Sequence, residues 1–537
     1  SIARRQRQMC IRDRYLKLIN NSFFYSLKKI IDELRLSYLP PLLIYLAAGT
    51  SGMTSIVGTF YVKEYLNLSA SFIASLGFWI TLPWALKMPI GHLVDLAWKK
   101  KNYFVFVGAF LISLSFLIMF GIISAEDYFN KYLSLEAWFV ISSILAPVGF
   151  VLQDVVADAM TVEAIPEKKN NGENFADLEI KSMHTTMQTL GRFFIIGGTV
   201  LVGGINIVFF KDIEALEQSE KLIVYGKIYL FALIVPLISI LGVIISNKLL
   251  IKRKVQFQPK PNLNIIIGSF VFVIFIIFTG IIDFKYSQEI IFVGSISIVA
   301  FLMKNLCKFM TDEAKKIIVG TALIIFIFRS MPNVGIGLSW FEIDILKFDQ
   351  KFFSVLALLA SILTMFGILI FRGFMANNSI AKIIVILSIL NSILILPSLA
   401  MYYGFHDWTS QKTMGIVDAR FIAIINTAIE SPLGQVSMIP LLAWIAKNAP
   451  SNLKATFFAV FASFTNLALS FSNLFTKYLN EIFVVTREVK DKINDKTLIN
   501  SDYSELGILI FIVFIITLTI PILSVIVIQK TRYKTNE

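Results

Sequence analysis

The feature that most constrains this chain is a succession of apolar runs, each long enough to cross a bilayer as a helix. They fall at 38–62, 69–94, 103–124, 135–163, 182–210 and 222–247, then 265–283 and 288–303, then 316–341, 352–372, 380–403, 416–446, 453–480 and 505–529. A spanning helix needs about 20 predominantly apolar residues, so fourteen would take about 280. Of the 537 residues, 56% are hydrophobic, about 300. Little is left for a soluble domain. Only 16% of residues are charged, against about 25% in soluble proteins. A water-soluble enzyme is excluded, and so is an outer-membrane barrel, whose strands alternate instead of running apolar.

The runs are organised around a basic hinge, Lys248 to Asn264, that contains Ile251-Lys252-Arg253-Lys254 and two prolines. The close pair at 265–283 and 288–303 reads as a helical hairpin, with six runs on either side of it. Six plus six is the arithmetic of the major facilitator transporters. The expected fold is therefore an all-α polytopic membrane protein: two six-helix halves plus an inserted hairpin, fourteen spans. Its expected parts are a cytoplasmic tail (1–37), a first half (38–248), the hinge with its hairpin (249–304) and a second half (305–537). Residues 1–14 are basic and featureless and are set aside from the fold.

Net charge is +13, which in a polytopic membrane protein reads as positive-inside bias rather than as nucleic-acid binding. With the N-terminus inside, and leaving out residues 1–14 and the cations within the runs, 25 Lys and Arg fall in inside segments and 13 outside. Four of the 13 lie in one long loop, 481–503, where the rule is weak. Shifting the frame by one helix would put the basic hinge outside. Both termini are thus expected in the cytoplasm, with the chain as a monomer in the lipid bilayer of a bacterial inner membrane. Cys10 and Cys307 are too few for a disulfide framework. His92, His184 and His406 lie far apart in the chain. No metal and no cofactor are expected.

Two segments carry the candidate chemistry. The first is LPWALKMPIGHLVDLAWKKK, Leu82 to Lys101. Here Gly91 is expected to let helices approach closely. Asp95, one turn on, can cap a helix or pair with a cation, and Lys99 to Lys101 meet the anionic leaflet. The matching stretch of the second half, FRGFMANNSIAK, keeps Arg372 and Gly373 but has no acid. The second segment is PVGFVLQDVVADAMTVEAIP, where Asp154 and Asp158 are four apart and so share a helical face. Glu163 follows near the cytoplasmic end and joins Gly91 and Asp95 as an expected gating residue. Carboxylates within a span are costly and face a cavity or a cation. Two of them one turn apart repel, so one could carry a proton. The competing reading is a structural ion pair with Lys87 or Arg192.

Among the cations inside the runs, Lys181, Lys227 and Arg420 lie near run ends and can snorkel. Lys87, Arg192 and Arg329 are the candidates for binding an anion, the last because Pro332 frees backbone groups that line cavities. In the second half Glu430 is a further candidate proton carrier, while Asp418 is expected to pair with Arg420. Asn466 and Asn473 share a face, with Asn466 a candidate substrate contact and interhelical bonding the alternative. Phe78, Trp79 and Trp84 suit either a lipid-facing belt or a stacked ring.

These residues carry a resemblance. QDVVADAMTVE, preceded by LPWALKMPIGHLVD, resembles the folate–biopterin transporter family of the major facilitator superfamily. FIFRSMPNVGIGLSWFEIDIL and the stretch from GIVDARFIAIINTAIESPLG to FASFTNLALS resemble the same family's second half. Gln153 before Asp154 and the LPW-x-LK stretch are also similar to muropeptide permeases. The family resemblance implies uptake of folate- or pterin-like organic anions coupled to protons, and it places Asp154, Asp158 and Glu163 on the family's acidic fourth helix.

Overall fold

The computed structural model describes residues 34–66, 68–85, 87–97, 100–166, 173–249, 274–275, 278–279, 286–306, 311–371, 374, 378–434, 436, 454–490 and 497–535. In the first half, α1 (Leu39–Gly49) and α2 (Ser55–Tyr65) make one span joined by a short 3-10 segment, Thr50–Thr54. Next, α3 (Ala70–Ala85) and α4 (Lys87–Leu96) make a second, followed by α5 (Asn102–Ser124), α6 (Leu135–Ala164) and α7 (Asp177–Phe209). Finally, α8 (Gln218–Ala232) and α9 (Ile234–Leu249) close the half. The inserted segment contributes α10 (Ser287–Leu306). Most of its partner run, 265–283, lies outside the described residues.

The second half begins with α11 (Asp312–Arg329) and α12 (Ile336–Asp344), which form one broken span. Then come α13 (Gln350–Ile370), α14 (Ile380–Tyr402), α15 (Ala419–Glu430), α16 (Lys454–Ile482) and α17 (Leu506–Gln529). Before α17, β1 (Val489–Lys490) pairs antiparallel with β2 (Thr497–Ile499). Among the described residues eight helical segments are long and apolar enough to cross a bilayer, and two shorter apolar helices, Ala70–Ala85 and Ser287–Phe301, accompany them. Of the remaining expected runs, most of 265–283 and much of 416–446 lie outside the described residues, Pro332 stands in the unwound stretch between α11 and α12, and α16 is rich in Ser, Thr and Asn.

Lipid tails give apolar helices no hydrophobic reason to associate, so contact rests on small residues and interhelical hydrogen bonds. Both occur here. Gly49 of α1 and Gly198 of α7 interlock: a methyl on Gly49 would run into the Ile195 carbonyl, and one on Gly198 would lie 2.7 Å from the Leu46 carbonyl oxygen. Gly108 on α5 and Gly149 on α6 meet in the same way. Ser115 and Ser142 exchange hydroxyl-to-carbonyl bonds of 2.8 and 2.9 Å across that crossing.

Backbone groups beside the prolines are satisfied by side chains of α16. A proline has no N–H to donate and disrupts the preceding turn. Pro83 lies within α3, and Asn466 of α16, in the other half, donates to the neighbouring Trp84 carbonyl at 3.1 Å. Around Pro332, Ser472 donates to the Met331 carbonyl at 2.6 Å, Thr476 accepts from the Asn333 N–H at 3.1 Å, and Asn480 donates to the Val334 carbonyl at 3.2 Å. Those three residues are four apart, so one face of α16 holds the unwound strand. Asn473 lies against Gly77 of α3. Thus Asn466 and Asn473 do share a face, and it is turned to α3.

Candidate functional site

Lys87 stands at the start of α4, and its side chain reaches α6. Its Nζ lies 2.6 Å from Asp154 Oδ2 and 2.7 Å from Asp158 Oδ2. The Tyr45 hydroxyl, from α1, donates to Asp158 Oδ1 at 2.6 Å. The two aspartates therefore face one cation, as their spacing requires. They are not equivalent: the Asp154 side chain is 11% exposed and that of Asp158 is 44% exposed. Gln153 turns the other way, buried, and donates to the Val105 carbonyl at 3.2 Å. It serves the α5–α6 packing.

Arg192, on α7, is exposed, yet it lies within electrostatic reach of Asp154 and Tyr45 on one side and of Arg329 on the other. Arg329 is half-buried at the end of α11, in the opposite half. Like charges held this close repel until an anion lies among them. Glu430 ends α15 and is exposed, and no described contact joins it to the aspartates. Asn466 is committed to the Trp84 carbonyl.

The gating candidates separate. Glu163 pairs with Lys101 at 2.8 Å, both side chains being at most 10% exposed. Ser37 ties the start of the first span to the Ala164 carbonyl at 2.6 Å. A methyl on Gly91 would meet Val155 at an ordinary 3.9 Å, so no close helix approach requires this glycine. The side chain of Asp95, together with Lys99, Arg372 and Gly373, lies outside the described residues. Phe78 is fully buried among Leu82, Ile291 and Leu474 beneath the inserted helix, so it belongs to neither a lipid belt nor a stacking platform. Asp418 does not pair with Arg420. It caps α15 by accepting from the Phe421 N–H at 2.8 Å, while Arg420 reaches Glu214 at 3.4 Å and the Lys347 carbonyl at 3.0 Å.

A second set of charges was not legible in the sequence. At the end of the bundle away from both termini, Lys63 of α2 pairs with Asp344 of α12 across the seam between the halves, with side chains 7% and 5% exposed. Asp344 also accepts from Tyr503 and, at 3.0 Å, from the Glu488 N–H. Arg487 crosses the same seam. Its guanidinium donates to the Lys63 carbonyl at 2.7 Å and to those of Leu66 and Leu68, and it stacks on Trp340 at 5.0 Å. A cation there answers the exposed carbonyls at the end of α2. Burial presses the Arg487 guanidinium below its usual range, and Asp344 and Tyr503 pull it back. Lys63 and Asp344 sit one to three residues past the ends of apolar runs, and Arg487 lies in a long loop, so all three read as solvated charges. Tyr45 had counted as one more apolar residue.

The BT1 family matches residues 48–536, so the chain belongs to that family. It is similar to a folate-biopterin transporter from Synechocystis sp., 21% identical over 445 residues, 81% of this chain and 74% of that protein. It is also similar to folate transporter 2 from Plasmodium falciparum, 26% identical over 165 residues, 31% of this chain and 34% of the relative. Among solved structures, a POT family transporter in complex with 5-aminolevulinic acid superposes with TM-score 0.57 at 12% identity, covering 93% of this chain and 96% of that one. The nucleoside transporter NupG does so with TM-score 0.52 at 12% identity, covering 93% and 100%. The fold is that of the major facilitator transporters. The chain is a multi-pass membrane transporter of small molecules, not an enzyme.

Proposed function

We propose that this BT1-family protein is a proton-coupled secondary transporter of folate- or pterin-like organic anions, working by alternating access. The observation that carries the reading is the charge arrangement at mid-bundle. Lys87 sits between Asp154 and Asp158, and Arg192 and Arg329 converge from the two halves. The folate transporters among its relatives support the substrate class.

Two aspartates and one lysine leave one negative charge, and Arg192 nearby balances it. With Arg329 counted the site holds one surplus positive charge, so a substrate carrying two carboxylates between Arg192 and Arg329 leaves it one negative, which a proton on the aspartate pair offsets. Proton and anion therefore favour each other's binding through Coulomb attraction in a poorly screened site, and that mutual preference is reciprocal. Once one aspartate is protonated, Lys87 pairs with the other alone. Asp158, the exposed member, is the one that exchanges protons with water. Lys87 thus acts in the coupling more than in direct contact with the substrate, and Glu430 and Asn466 stand apart from it. Glu163, held by Lys101, fixes the cytoplasmic end of α6.

With both termini in the cytoplasm, the sealed seam of Lys63, Asp344 and Arg487 lies on the external side. The conformation is then closed outward, and the cycle requires those contacts to break as the halves rock about the midplane. The test is uptake of labelled folate, biopterin and anhydro-muropeptide by cells expressing the protein, with and without a protonophore. Folate and biopterin should accumulate, and the protonophore should abolish accumulation. Accumulation of anhydro-muropeptide alone would overturn the substrate class. Protonophore-insensitive accumulation would overturn the coupling.

A further inference from the structure

We infer that Tyr45 is a positioning residue for the coupling carboxylate: its hydroxyl holds Asp158 Oδ1, so that Oδ2 alone is left to trade Lys87 for a proton. The inference rests on the coupling role proposed for Asp158.

Three observations carry it. First, both oxygens of Asp158 are engaged, Oδ1 by the Tyr45 hydroxyl at 2.6 Å and Oδ2 by Lys87 at 2.7 Å. Asp154 has Lys87 as its described partner, through Oδ2, so only one of the two carboxylates is oriented from a third helix. Second, the hydroxyl is held by its own ring. Tyr45 is 5% exposed and its ring lies in a slot opened by the missing side chain of Gly191. A methyl there would sit 3.0 and 3.1 Å from ring carbons Cε2 and Cδ2, closer than packing allows without a shift. Third, Gly191 immediately precedes Arg192, so the helix that offers the anion site also shapes the slot. The charged groups within reach of the phenol are Asp158 and Asp154 on α6 and Arg192 on α7, with Lys87 of α4 on the far side of Asp158.

The chemistry gives the phenol a defined effect. A hydrogen bond donated to an ionised carboxylate favours the ionised form, and such charge-assisted bonds are stronger than neutral ones. Tyr45→Phe keeps the ring and its packing and removes only the O–H. The carboxylate then keeps its proton to higher pH, and release on the inside becomes the slow step. The interlocked glycines of α1 and α7 keep the ring in place, so the effect is chemical and not a collapse of the site.

The test uses the full chain in proteoliposomes, with tritiated folate as the probe and uptake driven by an imposed pH gradient at external pH from 5 to 8. Y45F should move the midpoint of the pH profile upward by about one unit, the scale of a single hydrogen bond to a charged group. KM in counterflow at fixed pH should stay within about twofold, because the bond is not made to substrate. Gly191→Ala, which presses on the ring, should move the profile the same way by less. A profile that superimposes on wild type, or a rate lowered by one factor at every pH, overturns the assignment.

A second measurement needs no substrate. The difference in Tm between wild type and Y45F in detergent should be widest at pH 8 and shrink toward pH 4, because the bond is strongest to the ionised carboxylate. A gap that does not change with pH removes Tyr45 from this role. If wild type shows no pH-driven uptake, the coupling reading fails instead, and the Tm comparison still decides what Tyr45 holds.

Discussion

In the first half, Tyr45, Lys87, Asp154 and Asp158 close into one network contributed by α1, α4 and α6. In the second half, the polar side chains do something else. Asn466, Ser472, Thr476 and Asn480 hold backbone groups near Pro83 and Pro332, and Asp344 and Arg487 grip the first half across the seam. The difference teaches that pseudo-repeated halves need not share chemistry. One half carries the titratable pair, and the other supplies the fixed points against which it moves, plus one arginine for the anion.

The sharpest way to break that division is to remove a grip. Asp344→Ala strands Lys63 at a site where both side chains are nearly fully buried. Leaving one charge of a buried pair uncompensated costs about 3–5 kcal/mol. The expected result is a large fall in Tm, with the pH profile of the remaining transport unchanged. A shifted profile would mean that the seam takes part in coupling.

Next come the arginines that face each other from the two halves. Arg192→Gln and Arg329→Gln should each raise KM for folate about tenfold or more, the scale of one charge-assisted bond of about 1.5–3 kcal/mol, and should leave the pH gradient able to drive uptake. If only one of them raises KM, the anion is held by one half alone and the picture of a shared site fails. Asn466→Ala removes a single bond to the Trp84 carbonyl and should cost about 1 kcal/mol of stability. A rise in KM as large as that of the arginines would restore Asn466 to the substrate site.

The smallest effect concerns the external strap. The N–H and hydroxyl of Ser504 hold the Asp502 carboxyl below the usual carboxylate range, beside the bridge between Thr486 and Asp502. A carboxyl shifted downward contributes its stability above its unfolded pKa of about 3.9 and loses it only as pH falls through the lower folded value. Acidifying the external side from pH 7 to 5 should therefore leave hydrogen exchange of residues 497–503 unchanged. Faster exchange at pH 5 would show that the seam itself senses acid.

The spans were legible because apolar runs of about 20 residues have one physical outcome in a membrane. Every long helix among the described residues overlaps a run, while the short helices Glu126–Asn130 and Phe405–Lys412 lie between runs, and the i, i+4 spacing of Asp154 and Asp158 places them on one face. What the runs hid was everything that depends on partners far away in sequence. Tyr45 is an apolar-looking residue until α6 places a carboxylate beside it. Lys63 and Asp344 are 281 positions apart by their numbers, and each looks like a loop charge until the seam buries both. Gly91 looked like a close-packing glycine by its motif, but Val155 leaves room beside it. Asp418 stood next to Arg420 in sequence, yet the backbone N–H of Phe421 was the better-placed partner.

The division of labour between the halves is tested most directly by one experiment on two variants. Asp158→Asn and Glu430→Gln would be reconstituted side by side, and folate accumulation driven by an imposed pH gradient compared with counterflow exchange without one. Asp158→Asn should lose gradient-driven accumulation altogether while keeping counterflow, and Glu430→Gln should keep both within about threefold, since its group joins no described network. Accumulation by Asp158→Asn, or its loss in Glu430→Gln with exchange intact, would place the proton in the wrong half and contradict the account.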